Sequence, residues 1–116
     1  MSGAPASRLE RERDSLVERI ARLDETLAGL QSDRGAETAD DEHDPEGATL
    51  SSEWSRLAGL RADAVTALAE TDAALARAAS GGYGICSDCG DVIPPARLDA
   101  RPTATRCVAC ATKAGA

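Results

Sequence analysis

The sequence predicts a mainly α protein, a long antiparallel coiled-coil hairpin followed by a small C-terminal C4-type zinc-finger module. Three observations carry that prediction: two heptad stripes of apolar residues, an uncompensated acidic block between them, and two CxxC pairs after the second stripe. Aromatic content is 2% and there is no Phe, so the large rings that usually fill a globular core are missing. Ala and Leu must do the packing. They suit close helix–helix seams better than a thick sandwich or α/β core.

Residues 1–7 carry no apolar pattern and are expected to be a disordered N-terminus. The first stripe then runs Leu9, Leu16, Ile20, Leu23, Leu27 and Leu30, with spacings of 7, 4, 3, 4 and 3. That is the a/d repeat of a coiled-coil seam. Ser7 with Glu10 offers a capping box, which predicts a helix over 8–34 starting at Arg8. Residues 35–44 lose the repeat and gather Gly, Thr and acid, so an acidic loop is expected there.

Asp44-Pro45-Glu46 reads as an N-cap with Pro at the first helical position, opening a second helix over 45–80. Its seam is Leu50, Trp54, Leu57, Ala64, Leu68, Thr71, Leu75 and Ala78, with Arg61 in register and Leu60 and Val65 widening the apolar face. Gly81-Gly82 ends it. At 1.5 Å per residue the helices would be roughly 40 and 50 Å long. Stripes this narrow need a partner, and folding back through the loop supplies one within the chain. The acidic loop is then expected at the far tip of a rod, away from the cysteines.

Charge supports this division. The net charge is −7, from 20 acidic and 13 basic side chains. Residues 8–34 carry 6 basic and 7 acidic groups, residues 48–80 carry 3 and 4, and residues 81–116 carry 4 and 3. The excess lies in Glu37, Asp40, Asp41, Glu42, Asp44 and Glu46, where no Lys or Arg intervenes. Such a block repels phosphate backbones, which argues against general nucleic-acid binding. The N-terminal residues have no apolar h-region and no later run is apolar enough to span a bilayer, so a cytoplasmic location without membrane attachment is expected.

In a reducing compartment, paired cysteines favour metal over disulfides. Cys86-Ser-Asp-Cys89 and Cys107-Val-Ala-Cys110 stand 17 residues apart. Two residues between thiolates let a tight turn aim both sulfurs at one tetrahedral ion, and Gly90 eases that turn. Four cysteines saturate a zinc ion, so the expected Zn²⁺ is structural and not catalytic. A thioredoxin-like CxxC would need a βαβ setting that is missing here. His43, the sole histidine, reads as a solvated loop residue. Residues 81–116 have only Tyr83, Ile85, Val92, Ile93, Leu98 and Val108 as sizeable apolar groups, too few to fold unaided. Metal binding would supply on the order of 10 kcal/mol.

The segments Gly82-Tyr83-Gly84-Ile85-Cys86-Ser-Asp-Cys89-Gly90, Ile93-Pro-Pro-Ala-Arg97-Leu98-Asp-Ala100-Arg101-Pro102 and Cys107-Val-Ala-Cys110 together resemble the C4 zinc finger of the DksA/TraR family. The hairpin with an acidic tip extends the likeness to nearly the whole chain. The resemblance implies a transcription regulator that binds RNA polymerase directly, inserting its coiled-coil tip into the secondary channel to modulate initiation. It places Asp41, Asp44, Glu46 and Ala48 at the tip, and it makes Arg97 and Arg101 polymerase or nucleotide contacts.

Two departures stand out. The family's tip motif, Asp-x-x-Asp-x-Ala, is not reproduced cleanly: the alanine falls on Ala48, the second acid on Glu46 and the first on His43, while Asp41 and Asp44 keep the two-residue gap out of register. Where family members that respond to guanosine tetraphosphate are basic, this chain has Asp63, Glu70 and Ala111. Two carboxylates repel a highly charged phosphate, so nucleotide dependence is expected to be weak or absent.

Other function classes fit less well. A zinc-stabilised adaptor for a non-polymerase partner would use the hairpin side or the finger as its docking face. DNA binding through Arg97, Arg101, Arg106 and Lys113 is disfavoured by three neighbouring acids and a −2 zinc–thiolate centre. An enzyme is not expected, because neither a Ser-His-Asp set nor a phosphate-cradling glycine loop is present.

Overall fold

The computed structural model describes residues 3–38 and 45–115, with side chains described over 5–32 and 49–115. Four helices follow in order: α1 (Gly3–Thr38), α2 (Pro45–Ser80), α3 (Pro95–Ala100) and α4 (Val108–Lys113). Among the described residues the only β pairing is a single antiparallel bridge between Ile85 and Val92. The fold is mainly helical, with α1 and α2 packed as a hairpin and the cysteines in the C-terminal module.

Two compact units divide the chain, one of Met1–Arg13 with Ala69–Ala116 and one of Asp14–Leu68. The second unit consists of the central lengths of α1 and α2. Its buried side chains are Leu16, Leu27, Leu57 and Ala64, all positions of the two heptad stripes. Arg61, the charged residue in register, finds a partner on the opposite helix: its guanidinium Nε donates to the Asp24 carboxylate. A cation at a seam position is tolerated when its stem lies along the seam and its head meets an acid at the edge. Val65 is exposed and does not widen the apolar face, while Leu60 is half-buried.

The first unit joins the start of α1 and the end of α2 to the finger. Leu9, Thr71, Ala74, Cys86, Ile93 and Ala104 are its buried residues. Arg13 Nε donates to Asp72 at 2.8 Å and ties α1 to α2. Ala74, absent from the expected stripe, is fully buried, whereas Leu75 is half-buried. A small residue at that point lets the backbones approach closely.

The ends of α1 differ from those expected. The helix begins at Gly3 and not at Arg8, so Ser7 lies inside it and is not a cap. Ala4 and Ala6 favour helix, and Pro5 falls in the first turn, where its missing N–H removes no hydrogen bond. At the other end α1 continues to Thr38, past Gly35. One glycine costs about 1 kcal/mol relative to Ala, and helix-forming Ala36 and Glu37 follow it. Asp41, His43 and Asp44 lie outside the described residues, as do the side chains of Glu46 and Ala48. α2 closes on Gly81, at φ 86°, with the Gly82 N–H donating to the Arg77 carbonyl at 2.9 Å, the Schellman arrangement.

Candidate metal centre

Each cysteine pair sits on its own local turn. In the first, the Gly90 N–H donates to the Cys86 carbonyl at 3.0 Å, and Gly90 adopts φ 78°, a conformation strained for any residue with a Cβ. In the second, Cys107 is the N-cap of α4 and its carbonyl accepts the Ala111 N–H at 2.9 Å, which sets Cys110 in the first turn of that helix. The turns are joined by the Ser87 N–H donating to Thr105 O at 2.8 Å and by an Arg106–Asp88 ion pair at 2.8 Å. Arg97 Nε donates to the Arg106 carbonyl at 2.7 Å and anchors α3 to the same loop.

The four sulfurs of Cys86, Cys89, Cys107 and Cys110 converge within 4.8 Å of one another. A tetrahedral Zn–S distance of about 2.3 Å requires sulfur–sulfur separations of roughly 3.8 Å. The Cys89–Cys107 separation is 3.9 Å, so the residues fit the ion. The electrostatics agree. Backbone N–H groups of Cys89 and then Cys107 hold the Cys86 thiol down to about 6, against the opposing effect of burial. At Cys89 the Asp91 N–H lowers the pKa, but the Cys86 thiol and burial outweigh it and the net shift is upward. Cys110 is pushed up to about 12, first by the Cys107 and Cys86 thiols and then by burial. Thiols this crowded resist joint ionisation unless a cation lies among them, and a divalent ion meets that demand. The chain therefore binds one structural zinc ion through these four cysteines.

Two contacts fasten the module to the helices of its unit: Arg8 of α1 donates to the Asp99 carbonyl at 2.8 Å, and Arg77 of α2 lies 3.4 Å from the Thr103 carbonyl. Within the module, Tyr83 Oη donates to the Pro102 carbonyl at 2.7 Å. Partial burial raises the Tyr83 pKa, keeping the hydroxyl a donor. None of these ties is visible in the sequence pattern, because each ends on a backbone carbonyl whose position only the folded loop defines.

Arg97 and Arg101 line a cavity of about 440 Å³ with Glu70, Thr103, Thr105 and Arg106. Glu70 is thus brought to the two arginines, and Ala111 also borders the cavity. Asp63 is exposed on α2 and is not among the lining residues. Among the described residues neither Glu70 nor Arg101 has an ion-pair partner within 4.0 Å.

Convergent paired cysteines on short turns, attached to a helical hairpin, define a four-cysteine zinc-finger protein of the hairpin-bearing class. Residues 81–114 match the family described as the prokaryotic dksA/traR C4-type zinc finger. The fold of the chain is similar to that in the structure of transcription factor DksA2 from Pseudomonas aeruginosa, with a TM-score of 0.59 and 23% sequence identity over 99% of this chain and 89% of that one. No curated protein matches the chain. The finger at residues 81–114 is thus of the dksA/traR C4 type. No helix is long and apolar enough to cross a membrane among the described residues.

Proposed function

We propose that the chain is a transcription factor that works in the cytoplasm by binding RNA polymerase directly and carrying its acidic inter-helix segment into the secondary channel. The observation that carries this reading is the joint presence, in one chain, of a dksA/traR finger at 81–114 and the α-hairpin fold of DksA2. The finger needs its metal to fold and serves as a base. In the sequence Asp41, Asp44 and Glu46 fall at the junction of the two helical segments. A negative segment on a helical arm suits a confined, positively lined passage, where complementary charge speeds encounter.

The test replaces the acids together. Asp41→Asn/Asp44→Asn/Glu46→Gln should abolish the effect on transcription initiation in a reconstituted assay while leaving co-migration with polymerase core largely intact. An unchanged transcriptional effect would refute the tip mechanism.

The cavity beside the finger gives a second prediction. Glu70 shares that cavity with Arg97 and Arg101, and its carboxylate opposes any polyphosphate there. Guanosine tetraphosphate should therefore bind the chain with polymerase weakly or not at all, and Glu70→Lys should raise that affinity roughly tenfold or more, about 1.4 kcal/mol. Equilibrium binding of the labelled nucleotide to both complexes measures it; equal affinities would show that Glu70 does not control the cavity.

A further inference from the structure

The first turn of α1 overhangs the helix it pairs with. Arg13 and Asp72 meet across the two antiparallel helices at 2.8 Å. Eight residues back along α1 from Arg13 is Pro5, and eight on along α2 from Asp72 is Ser80, the last residue of that helix. Gly3 and Ala4 therefore lie past the end of α2. A helical turn without packing is unstable in water, because nucleation is costly and short helices gain too little from their own hydrogen bonds.

The finger supplies the missing support. Arg8 donates to the Asp99 carbonyl at 2.8 Å, and its guanidinium lies 3.8 Å from the Asp99 carboxylate. Pro5 and Arg8 also line one cavity with Tyr83, Ile93 and Leu98 of the finger. Burial gives the same answer. Leu16, Leu27 and Leu57, in the two-helix seam, keep 7%, 8% and 7% of their surface, whereas Leu9 is 0% exposed. Yet the end of α2 is rich in alanine, with Ala73, Ala74, Ala76, Ala78 and Ala79. A fully buried side chain touches roughly 6–12 other residues, more than an alanine-rich helix face offers. The finger, which shares a compact unit with Met1–Arg13, completes the cover.

We propose that the start of α1 is coupled to the metal centre: residues 3–8 are helical only while the finger is folded around its ion, and Arg8 and Leu9 in turn strengthen zinc binding. The reason is linkage. Metal binding drives the folding of the finger, so the affinity for the ion is measured against an unfolded finger. Contacts that exist only with the folded finger add to that affinity, and Arg8 and Leu9 make such contacts from the opposite end of the sequence. Neither residue is a ligand; both are positioning residues. Metal occupancy thereby sets the length of the first helix, and loss of the ion unwinds an N-terminal segment far in sequence from the cysteines.

The experiment uses the full-length chain. Competition for Zn²⁺ with a chromophoric chelator measures affinity, and backbone Cα chemical shifts report helicity. Leu9→Ala should weaken zinc binding by about tenfold or more. Arg8→Ala, a milder change at an exposed position, should weaken it by about threefold or more, and it decides the matter should Leu9→Ala misfold. Leu27→Ala truncates a side chain buried in the other unit; it should lower the melting temperature but leave zinc affinity within about twofold. In excess chelator the shifts of residues 3–8 should move to random-coil values while those of residues 14–30 stay helical. Wild-type zinc affinity in both Leu9→Ala and Arg8→Ala, or helical shifts at residues 3–8 in chelator, overturns the coupling. An equal loss of zinc affinity in Leu27→Ala overturns it too, since general destabilisation would then account for the effect.

Discussion

Removing the metal should unfold the C-terminal module outright. In the zinc-loaded chain the amides of residues 81–114 should be well dispersed, and with excess chelator they should collapse to random-coil shifts. The reason is arithmetic: the module's buried residues are few, with Ile93, Cys86 and Ala104 as those in its own sequence. Structural zinc contributes on the order of 10 kcal/mol in small sites, more than such a core supplies. Cys86→Ser should lower bound zinc from one ion per chain to near zero, because the buried Cys86 sulfur is the one held as thiolate by backbone N–H groups. Metal content and a two-dimensional amide spectrum check both statements. Native-like dispersion of residues 81–114 in chelator would show that the ion is dispensable to the fold.

The second large effect is expected at Leu9. Its side chain is fully buried, although it lies only six residues into α1. Leu9→Ala should cost about 3 kcal/mol, the middle of the range for such truncations. For a chain of this size that lowers the melting temperature by roughly 12–24 °C. Val17→Ala, at a 43% exposed position of the same helix, should change stability by no more than about 0.5 kcal/mol. Thermal melts of the zinc-loaded proteins followed by circular dichroism measure the pair. Similar melting temperatures for the two variants would mean that the first turns of α1 are not packed in the folded protein.

Leu9 also shows where the sequence is legible and where it stops. The heptad spacing identifies Leu9, Leu16, Leu27, Leu57, Ala64 and Thr71 as seam residues, and all are buried. Periodicity works there because burial on a helix repeats with the helix. The start of α1 is less readable: a capping pair at Ser7 and Glu10 suggests a beginning at Arg8, yet the helix starts at Gly3, in the unit that holds Leu9 with the finger. Tertiary contact overrides a local signal. The metal centre is legible almost whole, since CxxC spacing encodes its own geometry. The cavity of Glu70, Arg97 and Arg101 is readable only through the likeness to a known finger.

Arg8 and its acceptor Asp99 are separated by 91 positions. At roughly 5–20 residues per second of synthesis, the opening turns of the nascent chain wait on the order of ten seconds before the loop that receives them leaves the ribosome. During that interval the Arg8 guanidinium has water in place of its carbonyl acceptor. Chains that stop before residue 99 never close this contact between the first helix and the finger.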